Sequence, residues 1–411
     1  MLFYLIISIV VLEFILSQYL AYRNRKRMTS DIPSQLKGIY DEGDYTRQQA
    51  YQKENSRFGL VSSFFSFIII FIVLAAQLFG WLDIQLREYI SSPVLLSLAF
   101  IGIIYIINTV IEIPFDYYST FTIEEKFGFN KSTKRTFWAD IIKGLLLSAI
   151  LGGGILALII WLYNIFGENF WIYAWAAITA VSLFLSMFYS QLIVPLFNKQ
   201  KPLEDGKLRD AIEEFSEKAG FNLKNIYVMD ASKRSTKANA YFTGLGSKKR
   251  IVLYDTLIND LDTDEIVAVL AHEVGHYKKR HTLKHMIVSV LYTGLMLFIL
   301  SLFLDSTQLA EALGGKEASF HLGIIAFSIL FTPISLLLGI VMNVSSRKHE
   351  YEADSFAAKF GLAGALISGL KKLSVKSLSN LNPDKWYVFF HYSHPTLLQR
   401  IDKLQLTHEP D

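Results

Sequence analysis

Seven blocks of mostly apolar residues, each about 20 long, dominate this chain of 411 residues: Leu2–Tyr22, Phe58–Leu82, Val94–Ile113, Ile141–Leu162, Trp171–Val194, Met286–Leu304 and His321–Met342. At about 1.5 Å per residue each is long enough to cross a hydrocarbon core of about 30 Å. The pattern predicts a mainly α polytopic membrane protein with seven transmembrane helices. The first block reads as a retained anchor, because it lacks a basic n-region, is too long for an h-region, and is followed by Arg23, Arg25, Lys26 and Arg27. Composition agrees: 52% hydrophobic and only 19% charged, against about 45–50% and 25% in soluble domains. A net charge of +3 argues against a nucleic-acid partner, which wants a strongly basic face. With no cysteine, disulfides, thiol catalysis and Cys-ligated metals are excluded. Any metal must be held by His, Asp or Glu.

Basic residues set the expected orientation. The loop after the first block carries Arg23 to Arg57, the next only Arg87, the third Lys126, Lys131, Lys134 and Arg135, the fourth none, and the connection between the sixth and seventh only Lys316. This alternation predicts an N-terminus outside and a C-terminus in the cytoplasm. Two larger polar stretches then share the cytoplasmic side. The chain divides into 1–195 (helices one to five), 196–285 (a polar insert), 286–343 (helices six and seven) and 344–411 (a C-terminal polar part). Glu13, Gln77, Asn108 and Glu112 lie inside apolar blocks. They serve either helix-to-helix hydrogen bonds or a watery cavity within the bundle, since charges facing lipid are costly.

In the insert, Asn198–Gly206 reads as a loop and Lys207–Ala219 as an amphipathic helix stopped by Gly220. Ile226–Met229, Asn239–Thr243 and Arg250–Tyr254 read as short strands, the last two a hairpin turning through Gly244–Lys249. Asp262 and Glu265 have the spacing of a helix-capping box. On the helix they start sits His272-Glu-Val-Gly-His276. Imidazoles at i and i+4 share a helical face and can reach one ion, and Glu273 beside them can accept a proton from water. Three protein ligands leave zinc an open position, where the pKa of a water falls toward about 7. The chemistry implied is attack of a hydroxide-like oxygen on a carbonyl, with Glu273 shuttling the proton to the leaving amine.

A third ligand must come from elsewhere. Glu350, in Ser346–Asp354 just past the seventh block, is one candidate and His349 its competitor. On a helix Glu350 and Asp354 share a face, so one carboxylate can bind metal while the other orients an imidazole or Arg347; Glu352 points elsewhere. His281 and His285 also stand at i and i+4 with no acid after the first, and read as a polar rim at the membrane interface. His394, before Pro395, is held extended, either to donate to an oxyanion or simply as a turn.

These residues together resemble the type I CAAX prenyl proteases, integral-membrane zinc endopeptidases. Glu124–Asn130, Pro195–Asn198, Pro202–Gly206, Asn239–Gly244, His272–His276, Ser346–Asp354 and Ser393–Pro395 carry the likeness, in order along the chain. The resemblance implies seven helices around a large chamber, with one zinc ion held by His272, His276 and Glu350 and Glu273 as catalytic base. It also implies Asp354 behind the ligands, His394 and Arg400 near the oxyanion, and Asn239 and Ala240 on an edge strand pairing with substrate. The expected substrate is a peptide or protein with a CAAX-like C-terminus, lipidated or not, cut to remove its last residues. Membrane lipid is the surrounding partner, and nothing fixes the oligomeric state. A short 305–320 connection, no retrieval signal at Thr407–Asp411 and no cysteines lean toward a bacterial member in the cell membrane, with the endoplasmic reticulum as the eukaryotic alternative. Two other readings compete: a quality-control metalloprotease of membrane proteins, and a seven-helix transporter or receptor with a structural metal site.

Overall fold

Apolar segments that have no water to hydrogen-bond their amides have one local solution, the helix, and the apolar blocks adopt it. The computed structural model of the chain describes residues 1–29, 31–34, 37–221, 225–243 and 250–406. It begins with α1 (Leu2–Arg25), α2 (Glu42–Ala75), α3 (Leu78–Arg87) and α4 (Pro93–Tyr118), which runs on through a π-helical turn at Ser119–Glu124. Then come α5 (Lys134–Leu147), a second π-helical stretch at Ser148–Gly152, α6 (Gly153–Phe166), α7 (Phe170–Leu192) and the short α8 (Val194–Phe197).

By length and hydropathy, 6 helical runs among the described residues are candidate membrane spans, where seven separate blocks were expected. The difference lies in Lys134–Phe197, a run of 64 residues that holds two of the expected blocks. A straight helix that long would measure about 96 Å. Instead the chain turns at Gly167–Asn169, where Gly167 takes φ 52°, a conformation that favours glycine, and α6 packs back on α7. The block expected at Phe58–Leu82 is also different. Its helix starts at Glu42, capped by Asp41, whose carboxylate accepts the Asp44 N–H at 2.7 Å. It ends at Ala75, and α3 begins anew after Gln77 at φ 53°. Docking explains the break: the Gly80 N–H donates to the Leu313 carbonyl at 2.9 Å, and a Cβ on Gly80 would lie 2.0 Å from the Gly314 backbone.

The polar insert forms β1 (Gln200–Pro202), α9 (Lys207–Lys218), β2 (Ile226–Met229), β3 (Ala240–Thr243) and β4 (Arg250–Tyr254). The four strands make one mixed sheet in the order β1-β2-β4-β3, with β2 and β4 parallel and the outer pairs antiparallel. β1 falls where a loop was expected. Its three residues carry no alternation to read, and the strand exists through pairing with β2, at an edge where Pro202 is tolerated. The β3–β4 turn, Gly244–Lys249, lies outside the described residues.

After α10 (Asp255–Asp260), the capping box opens α11 (Thr263–Lys278), with the Glu265 carboxylate accepting the Asp262 N–H at 2.9 Å. The chain continues as α12 (His281–Ser301), α13 (Thr307–Ala312), α14 (Phe320–Lys359), α15 (Ala363–Lys376), α16 (Lys385–His391) and α17 (Leu397–Leu406). One core joins the insert to the C-terminal part, with Ile212, Leu253, Ile266 and Leu270 packed with Ala357, Leu366 and Leu404. The two polar stretches therefore lie on one face of the bundle. At the far end, His321 is fully buried, 2.7 Å from Asp83 Oδ1 and 3.0 Å from Ser97 Oγ.

Candidate metal centre

Two helices that meet the membrane region carry the site. α11 leads through a two-residue link into the apolar α12, and α14 is a single 40-residue helix whose apolar part ends near Met342. Glu350 therefore stands about 12 Å further along the same helix, beyond the apolar stretch. The two helices pack tightly because residue 275 has no side chain. A Cβ there would sit 3.0 Å from Ala353 Cα and 3.1 Å from the Ala353 carbonyl. Ala353 lies between Glu350 and Asp354, so the close approach is what lets both acids reach α11. Gly275→Ala is expected to push the helices apart and lower stability by about 1–3 kcal/mol, checked by thermal unfolding of the purified protein.

His272, His276 and Glu350 converge, each offering one ligand atom, with these atoms all within 4.8 Å of one another. His272 Nε2 and His276 Nε2 are 3.1 Å apart, and they stand 3.4 and 3.2 Å from the two Glu350 carboxylate oxygens. The donor set fits a divalent ion of zinc type: two imidazole nitrogens and one carboxylate, all from buried or half-buried residues. Glu350, and not His349, is thus the residue that completes the cluster.

Asp354 accepts from His272 Nδ1 at 2.8 Å, which leaves Nε2 for an ion. Burial opposes a charged His272, yet its hydrogen bonds to Asp354 and Glu350 outweigh this and raise it to about 9. A cation entering the cluster must displace that proton. Arg400 clasps Asp354 at 2.6 and 2.9 Å and comes within 3.5 Å of Glu350. Its guanidinium is thus engaged with these acids. His394, in the turn between α16 and α17, has a largely exposed side chain with Nε2 3.4 Å from Glu350 Oε1. Glu273, half-buried, shares with His272, His276, Glu350, His394 and Arg400 a cavity of about 490 Å³. Phe242 of β3 lines it too. β3 is an edge strand, and Asn239 precedes it with its side chain turned back on the Ala240 N–H at 2.8 Å.

His281 and His285 do not form a polar rim. His281 is 1% exposed and touches His276, while His285 lies 3.0 Å from His349 Nδ1. Glu352 does point away from the ligand cluster, and meets His281 at 2.9 Å. Sequence reading missed this histidine group, because its members come from three places along the chain. Glu13, Asn108 and Glu112 line one cavity of about 910 Å³ among α1–α4, the cavity reading of the two left open for them.

Residues 202–408 match the model of peptidase family M48, and residues 21–199 match that of the CAAX prenyl protease N-terminal region, described as five membrane helices. CAAX prenyl protease 1 of Saccharomyces cerevisiae is 35% identical, over 97% of this chain and 94% of its own length. The human CAAX prenyl protease 1 homolog is 32% identical, over 94% and 92%. A crystal structure of S. mikatae Ste24p superposes with a TM-score of 0.93 at 34% identity, covering 98% of this chain and 99% of that one. These relatives are eukaryotic, so the bacterial placement gains no support. The short 305–320 connection has a local explanation, since α13 within it packs on α1 and α14.

Proposed function

The chain belongs to peptidase family M48, and from that premise we propose that it is a zinc-dependent endopeptidase of the membrane that removes C-terminal residues from CAAX-like, prenylated substrates. It is an integral membrane protein and a metallopeptidase. The observation that supports the reading most is the convergence of His272, His276 and Glu350 beside Glu273 and an open strand edge.

In this proposal His272, His276 and Glu350 hold the ion. Bound zinc supplies Lewis acidity there, drawing the pKa of a water toward about 7 and polarising the scissile carbonyl. Glu273 takes a proton from the attacking water and returns it to the leaving nitrogen. His394 donates a hydrogen bond to the carbonyl oxygen as negative charge builds on it. Arg400 holds Asp354, and Asp354 holds His272. Substrate lies along β3 from Asn239 and Ala240 as an added strand, with Phe242 beneath it in the cavity. The alternation of Lys and Arg supports placing this machinery on the cytoplasmic side.

A panel of CAAX peptides with and without a farnesyl group tests the substrate class. Faster cleavage of the farnesylated peptides at the C-terminal site is the expected result. Indifference to both lipid and position would favour the quality-control reading.

A further inference from the structure

We propose that His281 is a positioning residue that fixes the tautomer and ring orientation of His276, so that the His276 Nε2 lone pair is presented to the metal. The inference rests on the reading of His272, His276 and Glu350 as ligands. An imidazole that ligates through Nε2 carries its proton on Nδ1, and that proton needs an acceptor. His272 has Asp354. The atom facing His276 Nδ1 is His281 Nδ1, at 3.1 Å.

Of two facing imidazole nitrogens, one donates and the other accepts. If His276 Nδ1–H donates, His281 Nδ1 accepts and keeps its own proton on Nε2, where Glu352 Oε2 stands 2.9 Å away to receive it. The opposite assignment leaves His276 protonated on Nε2, against Glu350 and His272, where the ion belongs. The His276–His281–Glu352 chain is thus consistent in one direction only. His281 is also held still: it is 1% exposed and its ring stacks on that of His349 at 4.0 Å and 14°.

The helix break makes this possible. On an unbroken helix a residue five positions after His276 would lie about 140° around the axis. Arg280 at φ 57° ends α11 and starts α12, which returns the His281 ring to its partner. His272 is therefore steadied by a carboxylate, His276 by an imidazole with a carboxylate behind it.

The test is zinc release from purified full-length protein into excess chelator, compared among wild type, His281→Ala, His281→Gln and Glu352→Ala. The expected result is release about 10–100-fold faster for His281→Ala, a smaller effect for Glu352→Ala, and partial recovery in His281→Gln, whose amide oxygen can accept the same bond. In the cobalt-substituted protein His281→Ala should also shift the visible absorption, a readout of ligand geometry. Release at the wild-type rate overturns the proposal. So does faster release with an unchanged cobalt spectrum and no recovery in His281→Gln, which marks a packing role alone. A wild type that binds no stoichiometric zinc overturns the ligand assignment itself, a result distinct from the other two.

Discussion

Glu273→Gln is expected to lower peptide cleavage by at least about a hundredfold while the purified protein keeps its zinc. The two halves of this result follow from different parts of the geometry. Glu273 is not one of the three residues whose ligand atoms cluster, so replacing its carboxylate leaves the metal-holding set intact. It does share the cavity with His272, His276 and His394, where a substrate carbonyl must sit. A carboxamide has the shape of the carboxylate and none of its basicity, so it can hold a water and still fail to take its proton. Cleavage assays and metal analysis on the same preparation check both halves. Cleavage that survives in this variant, or after thorough chelation, would remove the mechanism. A transporter or receptor with an incidental HExxH sequence would be untouched by the substitution.

The apolar blocks were legible because hydrocarbon imposes a length and a composition that stand out along a chain. What was not legible was where the blocks break. Gln77 lies in an apolar stretch, and α3 separates there because Gly80 meets Leu313 and Gly314, more than two hundred residues away. Likewise, His272, Glu273 and His276 announce themselves through helical spacing, whereas Glu350 had a rival in His349. Helix phase decides between those two: the Glu350 face meets α11, and the neighbouring His349 turns about 100° away toward His281 and His285. Gly275 gave no signal beyond its place inside the motif, yet its missing side chain lets α14 approach. His281 was misread for a related reason. Its partners, Glu352 and His349, come from another helix, and a positive-φ residue resets the phase that the spacing argument relied on.

Glu350→Ala is expected to strip the protein of zinc while leaving its fold in place. Glu350 is 4% exposed, and its two oxygens face His272 and His276 separately. Removing it leaves two imidazoles on one helix with no anion between them, and with the Arg400 guanidinium nearby. The loss should exceed the about 10–100-fold seen when outer-shell partners of a metal site are changed, because a direct donor is gone and the local charge has turned more positive. Alanine is the best helix former, and the α11–α14 contact runs through Gly275 and Ala353, so the helix pair should persist. Metal analysis together with circular dichroism checks both statements. His349→Ala is the discriminating companion: its ring lies against His281 and His285, so its effect on zinc should fall within the outer-shell range. Stoichiometric zinc in Glu350→Ala, with loss in His349→Ala, would transfer the third ligand from the carboxylate to the imidazole.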